Sequence, residues 1–241
     1  LVGEQHGEGF AGADHLAREQ EAVRLFQPVV HARSQFQRQA WAMAGAITAA
    51  LHDHARSWQR PAEFSRFAWD WEHSLGGSPR WGRWRDAIGV GEHEAEILSR
   101  AEQLLNQRLT EYGTGSDTFG LVHADLRLAN LLVDGNGTRL IDFDDCGWGW
   151  FLYDFAAAIS FIEDDPRIPA MRAAWVRGYR SVRPMSEAEE AEIDTFVMLR
   201  RMALLAWIGS HIEAPEPQEL APGFAATTAR LGQAYMDRIG A

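Results

Sequence analysis

Lysine is missing from the 241 residues of this chain, and all 23 of its basic side chains are arginine. The ammonium group with which kinases usually hold ATP phosphates therefore has no source in this sequence. An arginine-rich coding bias would be sufficient to produce such a deficit, so the absence alone indicates no function. Any prediction that this chain binds ATP therefore has to explain how the phosphates are held without lysine.

Cysteine, long apolar runs and excess positive charge are also scarce or absent. Cys146 is the single cysteine, which excludes an intrachain disulfide framework and favours a reducing compartment. No apolar run reaches the length of a membrane span, and no secretory signal pattern opens the sequence. The net charge of -11 disfavours binding to nucleic-acid phosphates. We therefore predict a cytoplasmic protein that binds neither membrane nor nucleic acid, with its oligomeric state left open.

The spacing of apolar residues predicts a mainly helical chain with one small β-hairpin. Helices are predicted at about 38–58, 92–112, 152–163, 168–181, 186–211 and 223–238. Extended segments are predicted at 119–123, 131–133 and 138–142, the last two forming a hairpin around an Asp-Gly-Asn-Gly turn. Residues 1–37 are hard to assign, and residues 59–90 are irregular and rich in tryptophan.

Polar residues that point to a reaction lie in the loop at 123–130 and just after the hairpin. Asp125 is the candidate catalytic base, and Asn130 and Asp142 are candidate metal ligands with hard oxygen atoms. His123 is expected to brace the loop. Asp and Asn also favour ordinary turns, but two such elements in order on a strand, loop and hairpin favour phosphoryl transfer. The spacing fits the kinase catalytic loop followed by a metal-binding aspartate.

With these motifs the chain resembles the aminoglycoside phosphotransferase and choline kinase group, known as the phosphotransferase enzyme family. The resemblance covers roughly residues 38–212, is tightest over 121–162, and includes bacterial members labelled homoserine kinase-like or stress-response kinase-like. It implies an α+β protein kinase-like fold, mainly helical in its C-terminal lobe, with the hairpin at the catalytic site and the N-lobe largely absent. We expect residues 1–37 to be a remnant or flexible segment and 38–241 to be the C-terminal lobe.

The resemblance also implies roles for individual residues and for ligands. Asp125 would orient the attacking hydroxyl, while Asn130 and the aspartate of the Ile-Asp-Phe triplet, Asp142, would hold Mg²⁺. The aspartate of a Tyr-Asp pair falls on Asp154, which we expect to bond to free N–H groups of its own helix and, like His123, to brace the catalytic loop. The implied cofactors are ATP and Mg²⁺, and the implied partner is a small molecule with a hydroxyl group.

Two departures from the family pattern are visible. Ala124 replaces the usual glycine, a change that should be tolerated if the backbone there is not at positive φ. Protein kinases have arginine at this position, so its absence argues against control by phosphorylation.

In the N-terminal part, Gly7–Gly12 matches G-x-G-x-x-G without an evident flanking strand, so a flexible terminus is the simpler interpretation. A fragment, a catalytically weak relic and a chain that borrows its nucleotide lobe all remain open.

Acidic and aromatic residues near the motif suggest how an acceptor is bound. Asp144, Asp145 and Trp148 are candidate substrate-binding residues, because carboxylates beside aromatic faces suit an ammonium group. The acidic run at 163–165 is more typical of a solvated helix end. The tryptophans of the irregular region at 59–90 are either packing anchors or a lid.

Two charged clusters in predicted helices have simpler interpretations. His52 and His54 lie two residues apart on a helix and so face different directions, which makes a shared metal improbable. Arg200 and Arg201 lie within an apolar helix, where a structural ion pair is favoured over contact with acids of the site.

The resulting prediction is a phosphotransferase that moves the γ-phosphoryl group of ATP to a hydroxyl of an amino alcohol, an amino acid or an aminoglycoside. One alternative is a non-catalytic binding or scaffold module, or a lobe that is inactive without its N-lobe. A second alternative is a protein Ser/Thr kinase of the stress-response type. The absent lysine favours the scaffold, whereas the complete set Asp125, Asn130 and Asp142 favours the enzyme.

Overall fold

The computed structural model describes residues 34–134 and 137–239, and these residues are mainly helical. The helices are α1 (Ser34–Ser57), α2 (Trp71–Ser74), α3 (Glu92–Tyr112), α4 (Tyr153–Ala158), α5 (Ile168–Arg180), α6 (Glu187–Ala191), α7 (Ile193–Ser210), α8 (Pro215–Leu220) and α9 (Phe224–Ile239). The strands are β1 (Phe119–Val122), β2 (Leu131–Asp134), β3 (Gly137–Leu140) and β4 (Gly147–Trp150), and 3₁₀ turns lie at Trp84–Asp86 and Leu128–Asn130. The prediction of a helix-rich α+β chain is confirmed. The Gly7–Gly12 match lies outside the described residues, and α1 crosses the predicted boundary after residue 37.

Two antiparallel strand pairs frame the polar motif. β2 and β3 form the predicted hairpin, with Leu131 opposite Leu140. β1 pairs with β4, a strand that the sequence analysis did not predict, because its Gly-Trp-Gly-Trp sequence lacks the usual β-branched pattern. Glycine is required in β4, since a Cβ atom at Gly147 would lie 2.7 Å from the carbonyl oxygen of Phe67. The β1–β4 pair thereby brings the segment that follows the hairpin back beside the 123–130 loop.

The six predicted helices all have counterparts among the described helices, but several differ in their ends and further helices are present. α3 has the predicted bounds, and its buried residues recur at helical spacing along one face. The single helix predicted at 186–211 is divided into α6 and α7, because Glu192 N–H bonds to Glu189 in a tight turn between them. α8 lies outside the predicted helices and begins at Pro215, a position where proline is well tolerated because it is the first helical residue.

The core lies where α1 packs against α5 and α4. A Cβ atom at Gly45 would overlap the carbonyl oxygen of Trp175, and one at Gly178 would overlap that of Ala42, so both glycines permit a close backbone approach. The rings of Phe155 and Trp175 lie 5.2 Å apart in this core. Burial of each such ring stabilises the fold by about 1.5–3 kcal/mol.

The packing of α1 against α5 also affects the site, because it places the C-terminal half of α1 beside the end of α5. Among the described helices, none combines the length and the apolar character needed to cross a membrane.

Candidate active site

Asp125 sits on the loop after β1 and is 8% exposed. Asn130 Nδ2 donates a hydrogen bond to its Oδ2 at 2.9 Å, and Arg127 Nε lies 3.0 Å from Oδ1. Arg200 Nη2 lies 4.0 Å from the same Oδ1. A carboxylate held by an amide and two guanidinium groups has a fixed orientation, which is what a group that receives a proton from a bound hydroxyl requires.

Asn130 and Asp142 belong to segments that are joined by a backbone hydrogen bond. The N–H of Ile141 donates to the carbonyl oxygen of Asn130 at 3.0 Å, so Asp142 follows directly on this contact. Because the amide nitrogen of Asn130 is engaged by Asp125, its Oδ1 is the atom that can ligate a cation. Asp142 itself has a left-handed backbone with φ of 64°, an unusual conformation for a non-glycine residue.

His123 connects the loop to the segment after the hairpin. Its Nδ1 accepts a hydrogen bond from the N–H of Asp125 at 3.3 Å, so Nε2–H donates to the carbonyl oxygen of Ile141 at 3.1 Å. The imidazole also packs against the ring of Phe143, with the centroids 4.7 Å apart. The side chain is buried and both its nitrogens contact protein groups, an arrangement that holds two backbone segments at a fixed separation.

Asp154, at the start of α4, bonds to the backbone of the 123–130 loop. Its carboxylate accepts hydrogen bonds from the N–H groups of Ala124 at 2.7 Å and His123 at 3.2 Å, and from His52 Nε2 at 2.9 Å. Burial by itself raises the pKa of Asp154, but the hydrogen bond from His52 and the further donors outweigh it and lower that pKa. The group is therefore an ionised carboxylate within the protein interior.

Ala124 has a positive φ of 62°, so the condition for easy replacement of glycine, a φ that is not positive, is not met. A left-handed alanine costs about 1–2 kcal/mol relative to an ordinary conformation. Asp154 accepts hydrogen bonds from the N–H of Ala124 itself and from that of His123 before it, and these bonds offset part of the strain.

A cavity of about 120 Å³ opens beside Asp125. Its lining consists of acids, arginines and apolar side chains, namely Trp81, Asp125, Arg127, Asp145, Phe161, Arg200, Leu204, Trp207 and Glu216. Burial raises the pKa of Asp145, and the negative charges of Asp125 and Asp142 act in the same direction against the opposing field of Arg200. An arriving cation would relieve this unfavourable field.

Arg200 forms the floor of this cavity. Its Nε donates to Ser160 Oγ at 3.1 Å, its Nη1 donates to Tyr153 Oη at 3.2 Å, and its guanidinium lies 4.9 Å from the ring of Trp81. The sequence analysis favoured a structural ion pair for this residue, but its nearest carboxylate is that of Asp125 in the site. A charged residue within an apolar helix was the available signal, although it did not distinguish the two roles.

Other predicted residues lie away from the cavity. Asp144 is exposed, and its carbonyl oxygen accepts from Arg66. Trp148 lies in β4 with Arg60 stacked 4.7 Å from its ring. Glu163 is paired with Arg201 at 2.6 Å in the interior.

Asp164 and Asp165 line a separate cavity of about 600 Å³ between α5, α7 and α9. That cavity is larger than the one beside Asp125, but residues of the 123–130 loop do not line it, and its arginines contact acids: Arg172 and Arg238 both bond to Asp194.

Two groups of residues were missed from sequence. Trp207 and Glu216 reach the cavity from α7 and α8, and nothing in their sequence surroundings indicates it. Trp81 belongs to the tryptophan-rich region, whose other members Trp69 and Trp84 are buried packing residues. Part of that region therefore serves packing and one member faces the cavity.

Comparison with known proteins gives consistent matches. The family described as "Phosphotransferase enzyme family" matches residues 5–191. The structure of a microcompartment-associated aminopropanol kinase is 52% identical, superposes with a TM-score of 0.79, and is matched over 83% of this chain and 63% of that one. Amicoumacin kinase of Bacillus subtilis is 27% identical over 195 residues, which are 75% of this chain and 55% of that protein.

A homoserine kinase of Neisseria meningitidis is 33% identical over 103 residues, covering 41% of this chain and 33% of its own length. This chain thus spans between one third and just under two thirds of the lengths of these relatives.

Proposed function

The chain belongs to the phosphotransferase enzyme family, and from this premise we propose that the complete protein transfers the γ-phosphoryl group of ATP to the hydroxyl of a small amino alcohol. The observation that carries the proposal is the small cavity beside Asp125, which combines a fixed carboxylate with a second acid and aromatic rings. The aminopropanol kinase of known structure supports the same acceptor class by its name and its 52% identity.

Asp125 acts on the acceptor hydroxyl in this proposal. The hydroxyl oxygen forms a bond to the γ-phosphorus, the bond from that phosphorus to the β,γ-bridging oxygen breaks, and ADP leaves. Asp125 receives the hydroxyl proton, so the charges balance. Arg127 and Asn130 keep its carboxylate oriented, and their contacts of 3.0 and 2.9 Å support that role.

Asn130 and Asp142 would hold a divalent cation, for which Mg²⁺ is the candidate. Their oxygen atoms fit the preference of this ion for a few protein oxygens together with phosphate and water. When bound, the ion would neutralise phosphate charge.

The size and charge of the cavity support an acceptor that is small and carries an amine. A molecule of a few heavy atoms fits a cavity of about 120 Å³, which favours a short amino alcohol over a multi-ring aminoglycoside as the acceptor. Asp125 faces Arg127 and Arg200, and Asp145 and Glu216 add two further carboxylates to a lining that includes Trp81. Carboxylates beside an aromatic face stabilise an ammonium group by charge and cation–π attraction.

The test is to assay the complete protein with Mg²⁺-ATP against ethanolamine, 1-amino-2-propanol, homoserine, choline and kanamycin. We expect ADP release and a phosphorylated product with the short amino alcohols. Asp125→Asn should lower kcat by about 10²- to 10⁴-fold. Asp145→Asn should mainly raise the KM for the amino alcohol, with Asp144→Asn as the exposed neighbouring control that leaves it unchanged.

Two outcomes would contradict the proposal. One is turnover of kanamycin in preference to the amino alcohols, which would show that the cavity does not define the acceptor. The other is absence of turnover with any acceptor by a folded complete protein, which would favour the scaffold alternative.

A further inference from the structure

We propose that Phe161 is a specificity-determining residue, whose ring forms one wall of the acceptor cavity and limits the group that an amino alcohol can carry on its hydroxyl carbon. The inference rests on the proposed function, because it states what that site selects. Phe161 follows α4 and lines the cavity beside Asp125, and the proposed reaction gives it no role.

Phe161 has a left-handed backbone, with φ of 70°. This conformation is strained for a residue with a Cβ atom, and glycine is the residue that usually adopts it after a helix. Within 34–134 and 137–239, the other non-glycine residues with positive φ are Ala124, which precedes Asp125, and Asp142, a candidate cation ligand. Strained residues that cluster in this way are typical of functional sites. The strain at Phe161 therefore indicates that a ring is needed at this position.

A buried carboxylate supports the strained backbone. The N–H of Phe161 donates to Glu163 Oε1 at 3.1 Å, while Glu163 Oε2 pairs with Arg201 at 2.6 Å. Both charged side chains are buried, so Glu163 cannot turn away without leaving a buried charge unpaired. Glu163 does not line the small cavity itself. Its contact with the backbone instead fixes the place from which the ring of Phe161 extends.

The ring of Phe161 contacts both the core and the lining of the cavity. Its centroid lies 5.8 Å from that of Trp207 and 6.2 Å from that of Phe224. Trp207 also lines the cavity, whereas Phe224 belongs to the core. A shorter side chain at position 161 would therefore leave space that is continuous with the acceptor site.

The two kinds of lining residue divide the recognition of the acceptor between them. The carboxylates of Asp125 and Asp145 suit the hydroxyl and the ammonium group, so the rings of Phe161, Trp81 and Trp207 are left for the remaining carbon substituent. Such a wall stabilises a methyl group by burial and rejects a bulky group by overlap. We therefore expect selection for a hydroxyl carbon that carries hydrogen or methyl.

The experiment compares two acceptors that differ only in this substituent. 1-Amino-2-propanol has a methyl group on its hydroxyl carbon, and 2-amino-1-phenylethanol has a phenyl group there. Their binding to the complete protein is measured by isothermal titration calorimetry, and their phosphorylation by ADP release with Mg²⁺-ATP. Phe161→Ala removes the ring. Phe64→Ala is the matched control, because Phe64 is also half-buried and packs on one ring, that of Trp58 at 4.8 Å, but does not line the cavity.

We expect the parent protein to favour 1-amino-2-propanol. Because a single methylene in a fitted pocket changes selectivity by about 10- to 200-fold, Phe161→Ala should bind 2-amino-1-phenylethanol at least about 10-fold more tightly than the parent does, and 1-amino-2-propanol more weakly. Phe64→Ala should keep the ratio of the parent. Phe161→Leu, which removes less volume, should lie between the parent and Phe161→Ala, and it replaces Phe161→Ala if that variant does not fold.

A glycine variant tests the strain separately from the volume. Phe161→Gly removes the same ring as Phe161→Ala but also relieves the positive φ. We expect the same change in the acceptor ratio, together with a higher midpoint of urea denaturation than that of Phe161→Ala. A lower midpoint would contradict the argument from strain.

An unchanged ratio of dissociation constants in a folded Phe161→Ala or Phe161→Leu protein would overturn the inference. This ratio needs no turnover, so the inference and the proposed function can fail separately. A changed ratio without phosphorylation would contradict the proposed reaction alone, whereas phosphorylation with an unchanged ratio would contradict the role of Phe161 alone. If neither the parent nor any variant binds either amino alcohol, both are wrong.

Discussion

Arg200 and Arg201 are neighbours on α7, and both side chains are 3% exposed, yet they contact two different parts of the molecule. Arg200 bonds to the hydroxyl groups of Tyr153 and Ser160 and lies near Asp125 in the cavity. Arg201 forms a 2.6 Å ion pair with Glu163, away from the loop. Residue type and burial are the same, so the partners alone distinguish a site residue from a structural one.

The electrostatic surroundings differ in the same way. The pKa of Arg201 is lowered because burial outweighs the attraction of Glu163. The pKa of Arg200 is raised although burial opposes it, because Tyr153, Asp125 and Asp145 together favour its charge. Arg201 is stabilised mainly by Glu163, with a smaller contribution from Asp164, whereas Arg200 interacts with acids of the cavity. Variants of each should separate stability from activity.

The largest expected effect concerns the structural pair. Glu163→Gln leaves the guanidinium of Arg201 buried without a counter-charge, which should reduce the free energy of unfolding by about 3–5 kcal/mol. Asp164→Asn is the control, because its pair with Arg230 is exposed and should contribute at most about 1 kcal/mol. Urea denaturation of the complete protein measures both values.

If Glu163→Gln does not fold, the double variant Glu163→Gln/Arg201→Met should, since removal of both charges avoids the unpaired ion. Equal losses in Glu163→Gln and Asp164→Asn would show that the buried pair has no special role.

The second prediction exchanges the two arginines for lysine, one at a time. Arg200→Lys keeps a charge but loses the planar fork that reaches Tyr153 and Ser160 while facing Asp125, so kcat should fall by roughly 10- to 100-fold. Arg201→Lys should leave kcat within about 2-fold of the parent and lower stability slightly. Steady-state kinetics and urea denaturation on the same samples test this, and a larger kcat loss in Arg201→Lys would invert the comparison.

Sequence patterns predicted the features of this molecule that depend on near neighbours. The 123–130 loop, the hairpin and α3 follow from turn residues and apolar spacing within short windows. β4 was missed because its strand geometry depends on pairing with β1, and its glycines on the approach of Phe67.

Within the site, too, the sequence identified residues of the motif and its neighbours but not those that join through tertiary packing. Asp125, Asn130 and Asp145 were identified because they lie in or beside the motif, and the structure places them close together. Trp207 and Glu216 join the cavity only through tertiary packing. The contact of His52 with Asp154 spans 102 residues, and sequence spacing does not predict such contacts. The roles of all these residues stay predictions until the variants are measured.

The smallest expected effect uses pH to sharpen the comparison, because the buried His52–Asp154 pair contains a titratable base where Arg201 keeps its charge. The pKa of His52 is lowered from 6.5, first by burial, so on acidification the unfolded chain binds a proton before the folded protein does. Stability from this residue is therefore full above about pH 6.5 and falls as the pH drops below that value, by at most about 1.4 kcal/mol per pH unit. Asp154, whose pKa is lowered, adds a separate loss only below its ordinary value of 3.8. Thr48, which lies one turn earlier on α1, is equally buried and does not titrate, so Thr48→Val is the control. Urea denaturation between pH 5 and pH 7.5 should show a shallower slope for His52→Gln than for Thr48→Val or the parent, and equal slopes would mean that His52 is not held neutral by the fold.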